Sequence, residues 1–190
     1  MLTRMIYTIK QTFKYRKAID AINRPEHQLT TITDLTALRL KDLGIVYLAL
    51  DFDGVLAPHG QALPDDKITS WLLTFCESFS ADHIFILSNK PTAERRAFFA
   101  RYFPAIRFIS GVRKKPYTDG LEKILELAAS PADKLALVDD RLLTGCLACI
   151  KAGSFAILVM KPFRNFRRRA FQEGFFAFLR WLERRLFIRR

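Results

Sequence analysis

Cysteine is scarce in this chain: three residues in 190. Cys76, Cys146 and Cys149 are too few and too odd in number for a disulfide framework, which favours a reducing compartment. Cys146 and Cys149 form a CxxC, but no second pair and no flanking His accompanies them, so they read as small apolar helix residues and not as metal ligands. Long apolar runs are missing too. No stretch approaches the ~18 consecutive apolar residues that span a bilayer, and Arg4, Lys10 and Lys14 interrupt the N-terminus before a signal-peptide core could form. The expectation is a cytoplasmic chain that does not cross a membrane but can lie against one. Acids are short only at the two ends. Residues 1–25 hold six Lys/Arg against one acid and residues 161–190 hold ten against two, while the centre is nearly balanced at −1, so the net charge of +12 sits wholly in the termini. Such ends fit a polyanionic surface.

Half of the residues are apolar, enough for one substantial core. This implies a single α/β domain over residues 26–160 between a basic N-terminal segment, 1–25, and a basic tail, 161–190. The domain is organised around IVYLALDFDGVL, Ile45 to Leu56. A run apolar from Ile45 to Leu50 and β-branched at its start reads as a strand buried on both faces of a parallel sheet. Asp51 and Asp53 close it, and Gly54 allows a sharp turn and a close approach to a ligand. A solvated turn is the plain alternative. A calcium loop is excluded, because it would need a ligand at Val55 and a Glu at Ala62.

The pattern of strand, polar tip and helix then repeats. A Pro and Gly rich flap carrying His59 leads to a helix from about Asp65 to Phe79; IFILS ends at Ser88 and Asn89 before a helix with Arg95 and Arg96; IRFIS and GVRKKP, with Lys115, precede a helix from about Tyr117 to Ala129; LALVDD ends at Asp139 and Asp140 before a helix through Lys151; FAILVM is a fifth strand. Strands alternating with helices predict a Rossmann-like, doubly wound parallel sheet. In that fold the strand tips share one edge, so the polar tips converge there.

Together these side chains suit phosphoryl transfer, which needs a nucleophile, a proton source and positive charge. Asp51 is the candidate nucleophile. Asp53, held protonated by its neighbouring carboxylate, is the candidate acid and base. Lys115, Ser88 and Asn89 would bind the phosphoryl oxygens, and Asp140 with Asp51 and the Asp53 carbonyl would hold Mg²⁺, a hard cation. His59 is either a phosphate contact or an exposed loop residue.

DFDGV, the strand ending in Ser88, Lys115 before Pro116 and the acidic VDD resemble the four motifs of the haloacid dehalogenase (HAD) phosphatase superfamily. The resemblance covers roughly Gly44 to Met160. More narrowly, SNK, KKP and DDRLLTG followed by Ala-Gly and an ILV strand are similar to the subfamily IIIA branch that includes phosphatidylglycerophosphate phosphatases. That resemblance implies Mg²⁺-dependent removal of the terminal phosphate from phosphatidylglycerophosphate. Departures from the branch stand at Gly54 and Val55, where Asn-Thr is usual, at Gly145, where a second acid is usual, and at Asp139, commonly Gly, which is expected to compensate as an outer metal contact.

Asp51 to Ser88 is 37 positions and Ser88 to Lys115 is 27, each filled by one loop and one helix, so no separate lid domain fits. An open site admits a phosphate carried on something large. In the tail, Phe171, Phe175, Phe178, Leu179, Leu182 and Leu186 share one helical face, with Arg169, Arg180 and Arg184 opposite and Trp181 to one side. Leu2, Ile6, Ile9 and Phe13 recur likewise among basic residues, in a segment ending at Pro25. Each reads as a basic amphipathic helix. The tail fits an interfacial anchor on anionic lipid, against the alternatives of a helix packed on its own domain or, less well, a nucleic-acid surface. For the whole chain the rival readings are a phosphatase for another phosphate ester and an inactive HAD-fold binding module.

Overall fold

The computed structural model describes residues 2–188, apart from the side chains of residues 166–169 and 172. Six strands form one all-parallel sheet: β1 (Gln28–Leu29), β2 (Tyr47–Asp51), β3 (Ile84–Leu87), β4 (Arg107–Ile109), β5 (Leu135–Asp139) and β6 (Phe155–Val159). Their order is β1-β6-β5-β2-β3-β4. The five expected strands are all present. β1 is an addition, a two-residue edge beside β6 that is too short to carry a period of its own.

Helices α1 (Leu2–Lys14) and α2 (Arg16–Asp20) precede β1, and α3 (Ala37–Asp42) leads into β2. Then α4 (Asp66–Ser78), α5 (Ala93–Tyr102), α6 (Asp119–Ala128) and α7 (Leu147–Ala152) join successive strands, and α8 (Phe166–Phe187) follows β6. The expected single N-terminal helix is instead broken at Tyr15, and Pro25 begins a short 3-10 turn. The break follows from burial. Ile6, Ile9 and Phe13 of α1 are exposed, whereas Ile19 and Ile22 are buried in the core, so the chain must turn to bring them under the sheet.

Alternation along the strands builds two cores. Leu48, Leu50, Ile84, Ile86, Ala136 and Val138 pack on one face with Ile68, Leu72 and Phe75 of α4 and Phe99 of α5. Ala49, Phe85, Leu87, Leu135 and Leu137 pack on the other with Leu121 and Ile124 of α6 and Leu147 and Cys149 of α7. The result is a three-layer α/β/α domain with no large cap. Cys146 and Cys149 belong to the second core as free thiols, and burial pushes both up, away from thiolate chemistry.

The topology locates the ligand edge. From β2 the chain runs outward through β3 to β4, then returns to β5 on the other side of β2. The crevice beyond the C-terminal ends of β2 and β5 is therefore a switch point, where open α/β sheets bind ligands. Register sets the tips level: Leu50 is level with Val138, which places Asp51 beside Asp139, and Asp51 is level with Leu87, which places Ser88 one step beyond. No helix among the described residues is long and apolar enough to cross a membrane.

Candidate active site

Asp51, Asp53, Ser88, Asn89 and Lys115 line one cavity of about 350 Å³ at the C-terminal edge of the sheet. Lys115, from the loop between β4 and α6, donates to both Asp51 Oδ1 and Asp139 Oδ2. Burial pulls its ammonium down, but Asp139 and Asp51 outweigh burial and hold it above the ordinary lysine range. Burial raises the Asp51 carboxyl well above the usual carboxylate range; Lys115 opposes this, while Asp139 and Asp140 add to it.

Asp139 was expected to be an outer metal contact. Its carboxylate grips Lys115 and accepts the Arg141 N–H at 2.9 Å. Gly145 explains how it fits. A Cβ built on Gly145 would lie 1.9 Å from Asp139 Cγ, so the Asp139 carboxylate fills the volume that a side chain at 145 would take. The two departures in the fourth motif are thus one exchange: the carboxylate is supplied from 139 and the space from 145. Gly54 is required for a similar reason. Its φ is +91°, and an added Cβ would come within 2.7 Å of Asp140 Oδ2.

Asp140 does not line the cavity. It lies behind the Gly54 turn, 2% exposed, paired with the buried Arg180 of α8. Burial raises its carboxyl, Asp139 adds to the rise, and Arg180 and His59 oppose it. Asp51 and Asp139 share Lys115, and Asp140 pairs with Arg180, which also lies 3.7 Å from the buried Glu173. Among the described residues no three His, Cys, Asp or Glu side chains make a closed metal cage. Mg²⁺ does not ask for one, since it takes one or two carboxylates and completes its shell with water and phosphate oxygens. The hard oxygens of Asp51 and the Asp53 carbonyl fit that ion, whereas Asp140 would join them only on leaving Arg180.

Sequence reading gave Arg95 no role, and it organises the other half of the site. It is 4% exposed, stacks 3.4 Å from the Phe52 ring centroid and donates to Ser88 Oγ at 2.9 Å. It also donates to the carbonyls of Gln61 and Ala62, which ties the flap down, and lies 3.7 Å from Asp53. The ion pair Asp53 makes is therefore with a guanidinium, and its carboxylate accepts the Gly60 N–H at 3.3 Å. A signal was present: Arg95 falls in the first turn of α5, capped by Thr92, where the helix dipole disfavours a cation. His59 is not left in solvent. It lines the cavity and stacks on Phe176 of α8 with centroids 4.4 Å apart, and its Nε2 has no hydrogen-bond partner among the described residues.

No protein-family model matches the chain, and no curated protein matches it. Among solved structures, the fold is similar to an uncharacterized protein from Corynebacterium glutamicum ATCC 13032 Kitasato, with a TM-score of 0.48 and 18% identity over 72% of this chain and 96% of that one. It is also similar to a protein assigned to the HAD family of hydrolases from Streptomyces avermitilis MA-4680 (0.40, 20%, 66% and 67%). A third is the cobalt-bound deoxy-D-mannose-octulosonate 8-phosphate phosphatase from Haemophilus influenzae (0.46, 16%, 72% and 90%).

Both terminal helices reach the rim of the cavity, Arg4 from α1 and Phe176 from α8. α1 docks through Tyr7, which stacks on Tyr117 and accepts from Lys151 at 2.7 Å, leaving Leu2, Met5, Ile9 and Phe13 exposed. α8 is docked by its charged residues. Arg180 takes Asp140, Arg184 donates to the carbonyls of Val159 and Met160, and Glu183 accepts from Arg141 Nε and Leu142 N, each at 3.0 Å. Part of its apolar surface points away from the domain: Phe171 is 98% exposed, and Phe175, Phe178 and Trp181 are more than half exposed, while Phe176 lies on His59 and Phe187 packs on the second core. Arg169 was placed on the polar face, and its side chain lies outside the described residues. A self-packed helix and an apolar outer face therefore coexist. Because Glu183 satisfies a buried N–H and a buried guanidinium, Glu183→Ala is expected to lower unfolding stability by about 2–4 kcal/mol. Urea titration followed by circular dichroism measures it.

Proposed function

We propose that this protein is a Mg²⁺-dependent phosphatase of the HAD type that removes the terminal phosphate of phosphatidylglycerophosphate at an anionic membrane surface. The observation that carries the chemistry is the meeting of Asp51, Asp53, Ser88 and Lys115, distant in sequence, around one cavity. The lipid reading rests on the rim, where two helices with outward apolar faces flank that cavity.

In this reading Asp51 attacks phosphorus and the P–O bond to the glycerol breaks, giving an aspartyl phosphate. The departing oxygen takes a proton from Asp53, which must enter this step as the neutral acid, with Arg95 3.7 Å away and the Gly60 N–H orienting its side chain at the cavity. Asp53 then takes a proton from water, whose oxygen attacks the phosphorus, frees inorganic phosphate and restores Asp51. Lys115 lies on the attacking carboxylate and meets the phosphoryl oxygens as charge builds on them. Ser88, held by Arg95, and Asn89 bind the same oxygens, and the free Nε2 of His59 is a further contact. Asp51 and the Asp53 carbonyl, with Asp140 once released from Arg180, would hold Mg²⁺, which would neutralise phosphoryl charge.

The test is phosphate release by purified protein with Mg²⁺ from phosphatidylglycerophosphate in vesicles, set against a panel of soluble phosphate esters. The expected result is kcat/KM at least about tenfold higher on the lipid. Equal or better turnover of a nucleotide or sugar phosphate would replace the lipid with a soluble substrate, and no turnover of any ester would leave a binding module.

A further inference from the structure

A second cavity, of about 960 Å³, lies between α2 and α8, apart from the one at Asp51. Five arginines surround it: Arg16 of α2, Arg164 of the β6–α8 connection, and Arg180, Arg184 and Arg185 of α8. Asp20 is the one acid in its lining. Arg16, Arg164 and Arg185 make no ion pair among the described residues, and the Nε of the buried Arg180 has no hydrogen-bond partner among them. Burial, then Arg180 and Arg164, pull the Arg184 guanidinium below the ordinary arginine range. Asp140 and Glu173 answer Arg180, but Arg16, Arg164 and Arg185 have no such partner among the described residues, and an anion in the hollow relieves the repulsion among these guanidiniums.

The apolar part of the same wall, interleaved with these arginines along α8, identifies the anion. Phe178, Trp181 and Leu186 line the same hollow, are 55%, 57% and 64% exposed, and belong to the outward apolar face of α8. Phe178 and Trp181 stack with centroids 6.0 Å apart. A small soluble anion would use the arginines and leave this wall in water. An amphiphile uses both, with its phosphate among the guanidiniums and its chains along the aromatics, the composition of a surface seated in a headgroup layer.

We propose that this groove binds the phosphodiester headgroup of an anionic phospholipid as a non-substrate anchor site. The proposal rests on the membrane half of the reading above and not on its phosphatase half. Lipid held there would sit across α8 from the cavity at Asp51, since Phe176 of the same helix faces that cavity.

The test uses the full chain and cosedimentation with vesicles of phosphatidylcholine, alone or doped with phosphatidylglycerol. Arg16→Gln with Arg185→Gln is compared with Lys67→Gln with Lys123→Gln, which removes equal charge from exposed positions outside the groove. Wild type is expected to bind only the doped vesicles. The groove variant should bind about tenfold or more weakly, the control within about twofold of wild type, all with unchanged melting temperature. If groove and control variants bind alike, the anchor site falls while the membrane reading stands; if wild type ignores doped vesicles, both fall and phosphatase activity is untouched. Calorimetry with inorganic phosphate, glycerol phosphate and a DNA oligonucleotide, without vesicles, should show no saturable binding that depends on Arg16 and Arg185. Such binding would make the groove a soluble-anion or nucleic-acid site and overturn the proposal.

Discussion

Asp51→Asn is expected to lower phosphate release by about 10⁴-fold or more, because the amide cannot form the acyl phosphate and Asp139, the other carboxylate on Lys115, is 2% exposed and does not line the cavity. Stability should move the other way, or not at all. The carboxyl of Asp51 is raised by burial, so its ionised form is less favoured in the folded chain than in the unfolded one, and at neutral pH that difference opposes folding. Asparagine keeps the shape and removes the charge, while Lys115 retains Asp139. An inactive protein that melts no lower than wild type is the expected pair of results, read by phosphate assay and calorimetry. Retained turnover would place the nucleophile elsewhere.

Gly145→Ala should be damaging, because the added methyl makes the shortest contact of any at the described glycines. Its Cβ would overlap the Asp139 carboxylate at 1.9–2.4 Å, and Asp139, 2% exposed, has no room to withdraw without releasing Lys115 and the Arg141 N–H. Breaking a buried pair in this way costs about 3–5 kcal/mol, and a displaced Lys115 should lower kcat by about 10²-fold. The informative control is the exchange. Asp139→Gly with Gly145→Asp restores a carboxylate to the same volume, so the double variant should be more stable and more active than either Asp139→Gly or Gly145→Ala. A double variant no better than Asp139→Gly alone would show that the acid must come from β5. Urea titration and phosphate release on the four proteins decide it.

Strand tips were the legible part of this sequence, for a physical reason. An acid or serine after a buried apolar run has few places to go in a parallel sheet, and the pairing of β2, β3 and β5 brings Asp51 and Asp139 level, with Ser88 one step beyond. The same logic found the helix of α4, whose Asp65 caps it by accepting the Ile68 N–H at 2.8 Å. Helix faces were harder. Periodicity showed that α8 has an apolar and a charged side but not which side meets the domain, and Arg180, Arg184 and Glu183 meet it because the carboxylate, carbonyls and N–H groups at the sheet edge offer better partners than lipid or water. Arg95 was hidden because its partners come from three segments, the flap, β3 and the Asp51 turn, which no local pattern joins. The Asp139–Gly145 exchange was visible as two oddities, and only packing shows them to be one.

The flap over the site is short and is held down by Arg95, by the Gly60 N–H on Asp53 and by His59 on Phe176. An enzyme with no door to swing spends no part of its cycle waiting for one. For the proposed reaction, the pace of turnover then falls to bond breaking and to sideways diffusion of the finished lipid along the bilayer plane.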